Sequence, residues 1–274
     1  MSHFAVGIIT RDFPTDSDIE RALAPYDENI EVRTVITKEE IVQKKREEIE
    51  NYKNTTYKRY LEDPEKYLEG VTNQLHIDYI TKDFPKKLEW TDDECYQDYI
   101  QYVEDENILP NGDVVSYYNP KSKWDWYEVG GRWTGLLYSK KDEEYVDQTA
   151  ISDIGNFYDE DAYKKAARFW ELYIDKEQPV SEEEKGRIKN VWYEEAYYTR
   201  NYQTKENYAK CQAYLGLYAI IDEYGEWHAK GEMGWWGMSN QTENAEAEWT
   251  NTQKKMLEEA GEKGYFLTIV DCHI

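Results

Sequence analysis

The sequence predicts an α+β fold: a ferredoxin-like split β-α-β sheet formed by the two chain ends, with a large, mainly helical insertion between them. Three observations point to it. Apolar, β-branched runs stand near each end, Phe4–Ile9 and Tyr265–Cys272. Each adjoins a stretch of helical period, Asp16–Ala24 after the first and Asn244–Ala260 before the second. The long middle is polar and charged, while 40% hydrophobic residues overall suffice for one large core or two smaller ones.

Taken in order, Phe4–Ile9 is a buried strand, and Asp16–Ala24 is a helix capped by Thr15 or Asp16. Ile30–Ile36, rich in β-branched residues, completes a β-α-β start. Lys38–Gly70 reads as one or two helices broken near Asp63-Pro64. Thr91–Val103 is helical, with Asp92, Asp93 and Glu94 favourably placed in its first turn. Val114–Tyr118 and Thr134–Tyr138 read as strands of a hairpin with an aromatic segment at its tip. Asp161–Tyr173 and Glu182–Tyr208 are further helical stretches. Tyr214–Ile221, the turn Asp222–Gly225 and Glu226–Met233 make an antiparallel pair, and Gly261 and Gly264 end the helix before the last strand. Residues 1–37 with 213–274 then form the sheet domain, with the termini on neighbouring strands. Residues 38–212 form a helix-rich acidic insertion carrying the aromatic hairpin, 114–138.

The segment Asn119–Trp133 concentrates Lys123, Trp124, Asp125, Trp126, Tyr127, Gly130, Gly131, Arg132 and Trp133. Trp and Tyr bring large apolar bodies with one polar handle, Arg stacks on aromatic faces, and Gly-Gly permits close backbone approach. Three readings compete. As a structural staple, the tryptophans are buried, Arg132 stacks or pairs with Asp125, and Trp126→Ala costs about 3–5 kcal/mol. As a pocket, Lys123 and Arg132 grip an anion beside a Trp. As a hot spot, Trp, Tyr and Arg anchor a partner. Trp235 and Trp236, set among glycines, are expected to pack on this node and close the core.

Charge argues about partners. With 57 acidic against 33 basic residues the net charge is −24, which disfavours direct nucleic-acid binding and favours a partner with a basic surface. No Lys or Arg interrupts Glu89–Asp113 or Asp142–Asp161. Those blocks offer Asp92, Asp93, Glu94, Asp98, Glu104, Asp105 and Glu106, then Asp142, Glu143, Glu144, Asp159, Glu160 and Asp161, as partner-binding carboxylates. Cys95, Cys211 and Cys272 show neither zinc nor redox spacing, so no metal and no cofactor is expected, and a reducing cytoplasm fits. No apolar run is long enough for a membrane span. On a strand Asp271 and His273 share a face, which His3 or His228 could join, whereas Cys272 points the other way. If Tyr265–Cys272 lies at a sheet edge, Cys272 marks an oligomer interface, and 26 Tyr and 10 Trp add to the case for a homo-oligomer.

The run N-P-x-x-K-W-D-W-Y-x-x-G-G-R-W and the ending V-D-C-H-I resemble a largely uncharacterised group of acidic proteins encoded by bacteriophages and prophages. The resemblance carries over no catalytic residues. It implies a non-enzymatic anti-defence protein in the cytoplasm of an infected bacterial host, akin to inhibitors of CRISPR or Gabija nucleases. Such a protein binds a host defence nuclease and blocks its nucleic-acid site with acidic and aromatic surfaces. Two alternatives stand beside it: a protein or enzyme that binds or sequesters an anionic or nucleotide-like small molecule, and a phage structural protein.

Overall fold

The computed structural model describes residues 2–189, 191–231 and 245–274. It is a mixed α/β protein that divides into two compact units, residues 1–30 with 121–274, and residues 31–120. The chain opens with β1 (His3–Thr10) and α1 (Asp16–Leu23), then β2 (Thr34–Ile36) and α2 (Lys38–Tyr52). Short helices follow: α3 (Lys58–Glu62), α4 (Pro64–Leu68), α5 (Gln74–Asp78) and α6 (Phe84–Lys87). After α7 (Asp92–Ile100) come β3 (Val114–Ser116), β4 (Trp126–Val129), β5 (Leu137–Ser139), β6 (Glu144–Val146) and β7 (Gln148–Ala150). Four helices, α8 (Glu160–Tyr173), α9 (Glu182–Lys189), α10 (Glu195–Tyr202) and α11 (Lys205–Ala213), precede the pair β8 (Ala219–Ile221) and β9 (Trp227–Ala229). The last elements are α12 (Ala245–Glu262) and β10 (Phe266–His273).

The first unit is built on a six-stranded sheet in the order β4-β10-β1-β8-β9, with β7 pairing β10 alongside β4. β1 and β10 run antiparallel from His3 opposite His273 to Thr10 opposite Phe266, and β1 runs parallel to β8. Alternation then sorts the side chains onto two faces. Ala5, Ile9, Leu267 and Ile269 pack under Trp249, Leu257 and Ala260 of α12. On the other face Phe4, Val6, Ile8, Val270 and Cys272 pack under Ile19 and Leu23 of α1, with Tyr26 and Trp124.

The second unit joins β2 to β3 and packs α2 against α7 through Ile41, Tyr96 and Val114. Capping boxes start both helices: Thr37 with Glu40, and Thr91 with Glu94. The backbone amide of Thr91, followed by its hydroxyl, holds the Glu94 carboxyl below its ordinary value. Among the described residues no helix is long and apolar enough to cross a membrane.

Several expectations are corrected. Of the strand expected over Ile30–Ile36 only Thr34–Ile36 forms, and it pairs with β3 rather than entering the main sheet. The place beside β1 goes to Ala219-Ile220-Ile221, all fully buried, as an interior strand requires; Glu31 and Arg33 could not occupy it. Residues 114–138 are not one hairpin. β3 pairs with β2, β4 with β10, and β5 with β6 across a short turn. Residues 121–212 belong to the same compact unit as the chain ends, so the boundaries at 37/38 and 212/213 move to 30/31 and 120/121. β10 is interior, flanked by β1 on one side and by β4 and β7 on the other, and Cys272 is fully buried. Edge pairing through β10, with Cys272 as an oligomer interface, is thereby removed. Burial, with Asp271 adding, pushes the Cys272 thiol up, so it stays a neutral core group.

Candidate functional site

Each segment of the aromatic node has a distinct place. Trp124 is buried in the α1 face of the core, meets Tyr127 edge-on at 5.2 Å, and donates its Nε1–H to the Leu23 carbonyl at 3.1 Å. It thus adds a side-chain donor to a carbonyl at the junction of α1 and the 3-10 turn that follows it. Trp133 packs against the opposite face of the core. Trp126 does not behave as a buried staple: it is 48% exposed. Trp235 and Trp236 lie outside the described residues.

The glycine pair is explained by two aspartates. A Cβ on Gly130 would stand 2.3 Å from Asp147 Oδ2, and one on Gly131 would stand 2.4 Å from Asp271 Cβ; both glycines have positive φ. Through this close approach Asp147 accepts from the Gly135 amide at 2.6 Å and the Thr134 hydroxyl at 2.8 Å. Asp271 Oδ2 accepts from the Arg132 amide at 3.0 Å.

These contacts frame a polar end to an otherwise apolar sheet face. Trp126, His273 and His3 are successive cross-strand neighbours on β4, β10 and β1, and Glu128, Asp271 and Ala5 form the next row. The His3 Nδ1–H donates to Asp271 Oδ1 at 2.8 Å, and the His273 Nδ1–H donates to Asp125 Oδ1 at 2.6 Å. A carboxylate only accepts, so each bond fixes the tautomer and leaves Nε2 of a neutral ring with its lone pair. Among the described residues neither Nε2 has a partner. The two imidazoles meet edge-on with centroids 4.9 Å apart, and Trp126 stands 6.1 Å from His3. Asp271 is almost fully buried, whereas Asp125 is a third exposed and is anchored through its backbone to the His273 carbonyl.

The sequence pairing of Asp271, His273 and His3 is therefore realised, but His228 pairs with Asp222 elsewhere. Arg132 does not pair with Asp125, whose partner is His273; its guanidinium makes no ion pair among the described residues. Asp125 as an imidazole partner escaped the sequence because nothing in it shows that β4 pairs with β10. No structural contact joins Lys123, held by its amide to the Tyr26 carbonyl, to Arg132.

A concavity of about 810 Å³ lies elsewhere, at the carboxyl ends of the parallel strands β1 and β8, a common ligand position in such sheets. Among its lining residues Asp18 pairs with Arg21, while Asp222 and Glu223 pair with His228 and Lys263, which do not line it.

The acidic blocks are also more occupied than their sequence suggests. Arg46, Lys38 and Lys45 of α2 face Asp92, Asp93 and Asp98. Glu94 serves the Thr91 cap, while Glu104, Asp105 and Glu106 are exposed. In the second block Asp142 binds the Ser139 hydroxyl, Asp159 caps α8, and Glu160 pairs with Lys164. Glu143 and Glu144 sit at the exposed β5–β6 turn, and Asp161 lies in the first turn of α8.

Among the described residues no cluster of three or more His, Cys, Asp or Glu side chains could hold a metal ion. Compared with known proteins, the chain matches no family model, no curated protein sequence and no solved structure.

Proposed function

We propose that the protein binds a small anionic ligand carrying a flat ring, at the sheet end where Trp126, His273 and His3 lie side by side. The observation that carries the reading is the pair of imidazoles whose Nδ1 atoms are both fixed by carboxylates, leaving both Nε2 atoms for a ligand. An anion needs the protonated rings, which donate Nε2–H to it; each aspartate then balances its own imidazolium, and Arg132 offsets Glu128 beside Asp271. The distant carboxylates of a −24 chain count little there, because screening acts over about 8 Å at physiological ionic strength. The half-exposed Trp126 offers a stacking face, worth about 1–3 kcal/mol for a base. Titration with a nucleoside monophosphate should quench tryptophan emission, and Trp126→Ala or Arg132→Ala should raise Kd at least about tenfold, the 1.4 kcal/mol of a lost stack or charge-assisted bond. If neither the nucleotide nor inorganic phosphate bound at millimolar concentration, the reading would fall.

A second reading, the stoichiometric anti-defence inhibitor of a host nuclease, is favoured by exposed aromatics. Trp192 is 93% exposed, and Tyr193, 53% exposed, stacks on Tyr197 at 3.9 Å. Such residues dominate hot spots. The likeness to phage and prophage proteins supports it too, since the two segments bearing that likeness are the paired strands β4 and β10. A purified defence nuclease should form a 1:1 complex that loses DNA binding, and Trp192→Ala should weaken it about tenfold or more; a complex indifferent to Trp192 would count against this surface. A homo-oligomer, if formed, would use surfaces other than β10. A ferredoxin-like frame is supported by the element order β1-α1-β8-β9-α12-β10 and the antiparallel β1–β10 pairing, but not by the place of β8, which lies directly beside β1 and parallel to it with no strand between them.

A further inference from the structure

We propose that His3 and His273 act together as a general acid–base pair that hydrolyses a small phosphodiester, a chemistry that rests on the ligand-binding reading above and names its substrate class. Two imidazoles with centroids 4.9 Å apart can both touch one phosphate group. Both are locked through Nδ1, so each has one working nitrogen, and the lock on one is a nearly fully buried carboxylate that also holds the Arg132 amide. Such a lock is what an acid or base needs in order to keep its tautomer and direction through a turnover.

The cluster offers no nucleophile of its own. Cys272, between Asp271 and His273 in sequence, points to the opposite face and is buried in the core. Water is therefore the attacking group. One neutral imidazole takes a proton from water at Nε2 as the water oxygen bonds to phosphorus. The phosphorus–ester oxygen bond breaks, and the leaving oxygen takes a proton from the Nε2–H of the other, protonated imidazole. One water is consumed, a phosphomonoester and an alcohol are released, and proton exchange with solvent restores the pair. No oxidant, reductant or metal enters this balance. Arg132 meets the phosphate charge, and Trp126 stacks on the base or aryl group of the ester.

Asp271 and Asp125 are positioning residues, acting through the imidazoles they hold. The other carboxylate beside the cluster is Glu128, the exposed cross-strand neighbour of Asp271. A requirement for one neutral and one protonated imidazole gives a bell-shaped pH–rate profile.

The test is hydrolysis of 2′,3′-cyclic AMP and of bis(4-nitrophenyl) phosphate by the full chain in the presence of EDTA, beside fluorescence titration with AMP. Turnover is expected on at least one ester, with a bell-shaped profile, and His3→Asn or His273→Asn should each lower kcat at least about 100-fold. Thermal melts verify folding, and His3→Gln and His273→Gln provide second variants should an asparagine form fail to fold. Asp125→Asn should lower kcat with little change in KM and distort the pH profile, which a merely structural role would not do. AMP binding without hydrolysis of either ester would overturn the catalytic proposal and leave the binding reading standing. Failure of both binding and hydrolysis would remove both. Hydrolysis that persists in folded variants of both histidines would also overturn it.

Discussion

Gly131→Ala is expected to lower stability by about 3–5 kcal/mol, a large loss for one methyl group. At φ +51 a side chain already costs about 1–2 kcal/mol. The added carbon would also stand 2.4 Å from Asp271 Cβ, an atom next to the backbone of an interior strand that cannot swing aside. The 130–133 turn must therefore lift, parting the Arg132 amide from a buried carboxylate oxygen, and an unsatisfied buried group costs about 1–3 kcal/mol more. Gly264→Ala is the control. It has φ +75 but nothing within 4 Å of the added carbon, so it should cost only about 1–2 kcal/mol. Denaturant midpoints compare the two, and equal losses would show that close approach to Asp271 is not what requires glycine at 131.

Trp124→Ala is expected to cost about 3–5 kcal/mol, while Trp126→Ala, two residues on, should cost under about 1 kcal/mol. Trp124 is buried between α1, Tyr26 and Tyr127, and removing it empties that space and releases the Leu23 carbonyl. Trp126 is half in water, so its truncation leaves no cavity of that kind. Urea unfolding of the two variants separates them, and a larger loss at Trp126 would reverse the assignment of staple and ligand face.

Local pattern carried the elements whose burial is decided locally. β1, α1, α12 and β10 fall within two residues of where periodicity and caps place them. The break at Asp63-Pro64 is present as well, with the Asp63 side chain receiving the Lys66 amide. Pairing was much less legible. The β-branched content of Ile30–Ile36 argues for a strand but says nothing of its neighbour, and the apolar Ala219–Ile221 was the better candidate for the centre of the sheet. Similarly, the acidic block at Asp92–Asp98 looked uncompensated because its cations lie on α2, some 46 residues earlier at Arg46–Asp92. At the candidate site the shared face of Asp271 and His273 followed from alternation, while its third member stood open between His3 and His228 until β1 paired with β10. Asp125 did not follow from it, since only β4 joining β10 brings it there, nor did the reason for Gly130-Gly131, which lies in the two aspartates that approach them.

The β1–β10 ladder also ties the polar end of the sheet to the apolar faces through a single variable, its register. Side chains on a strand alternate, so one residue of slip would carry Val270 and Cys272 out of the α1 face in the same movement that turned Asp271 and His273 into it. The hydrophobic packing of the whole ladder therefore acts as the clamp on the two imidazoles, and their spacing is as stiff as the core. Loosening the site without unfolding the sheet is not a motion this architecture offers: adaptation to a ligand must come from the 130–133 turn and from Trp126.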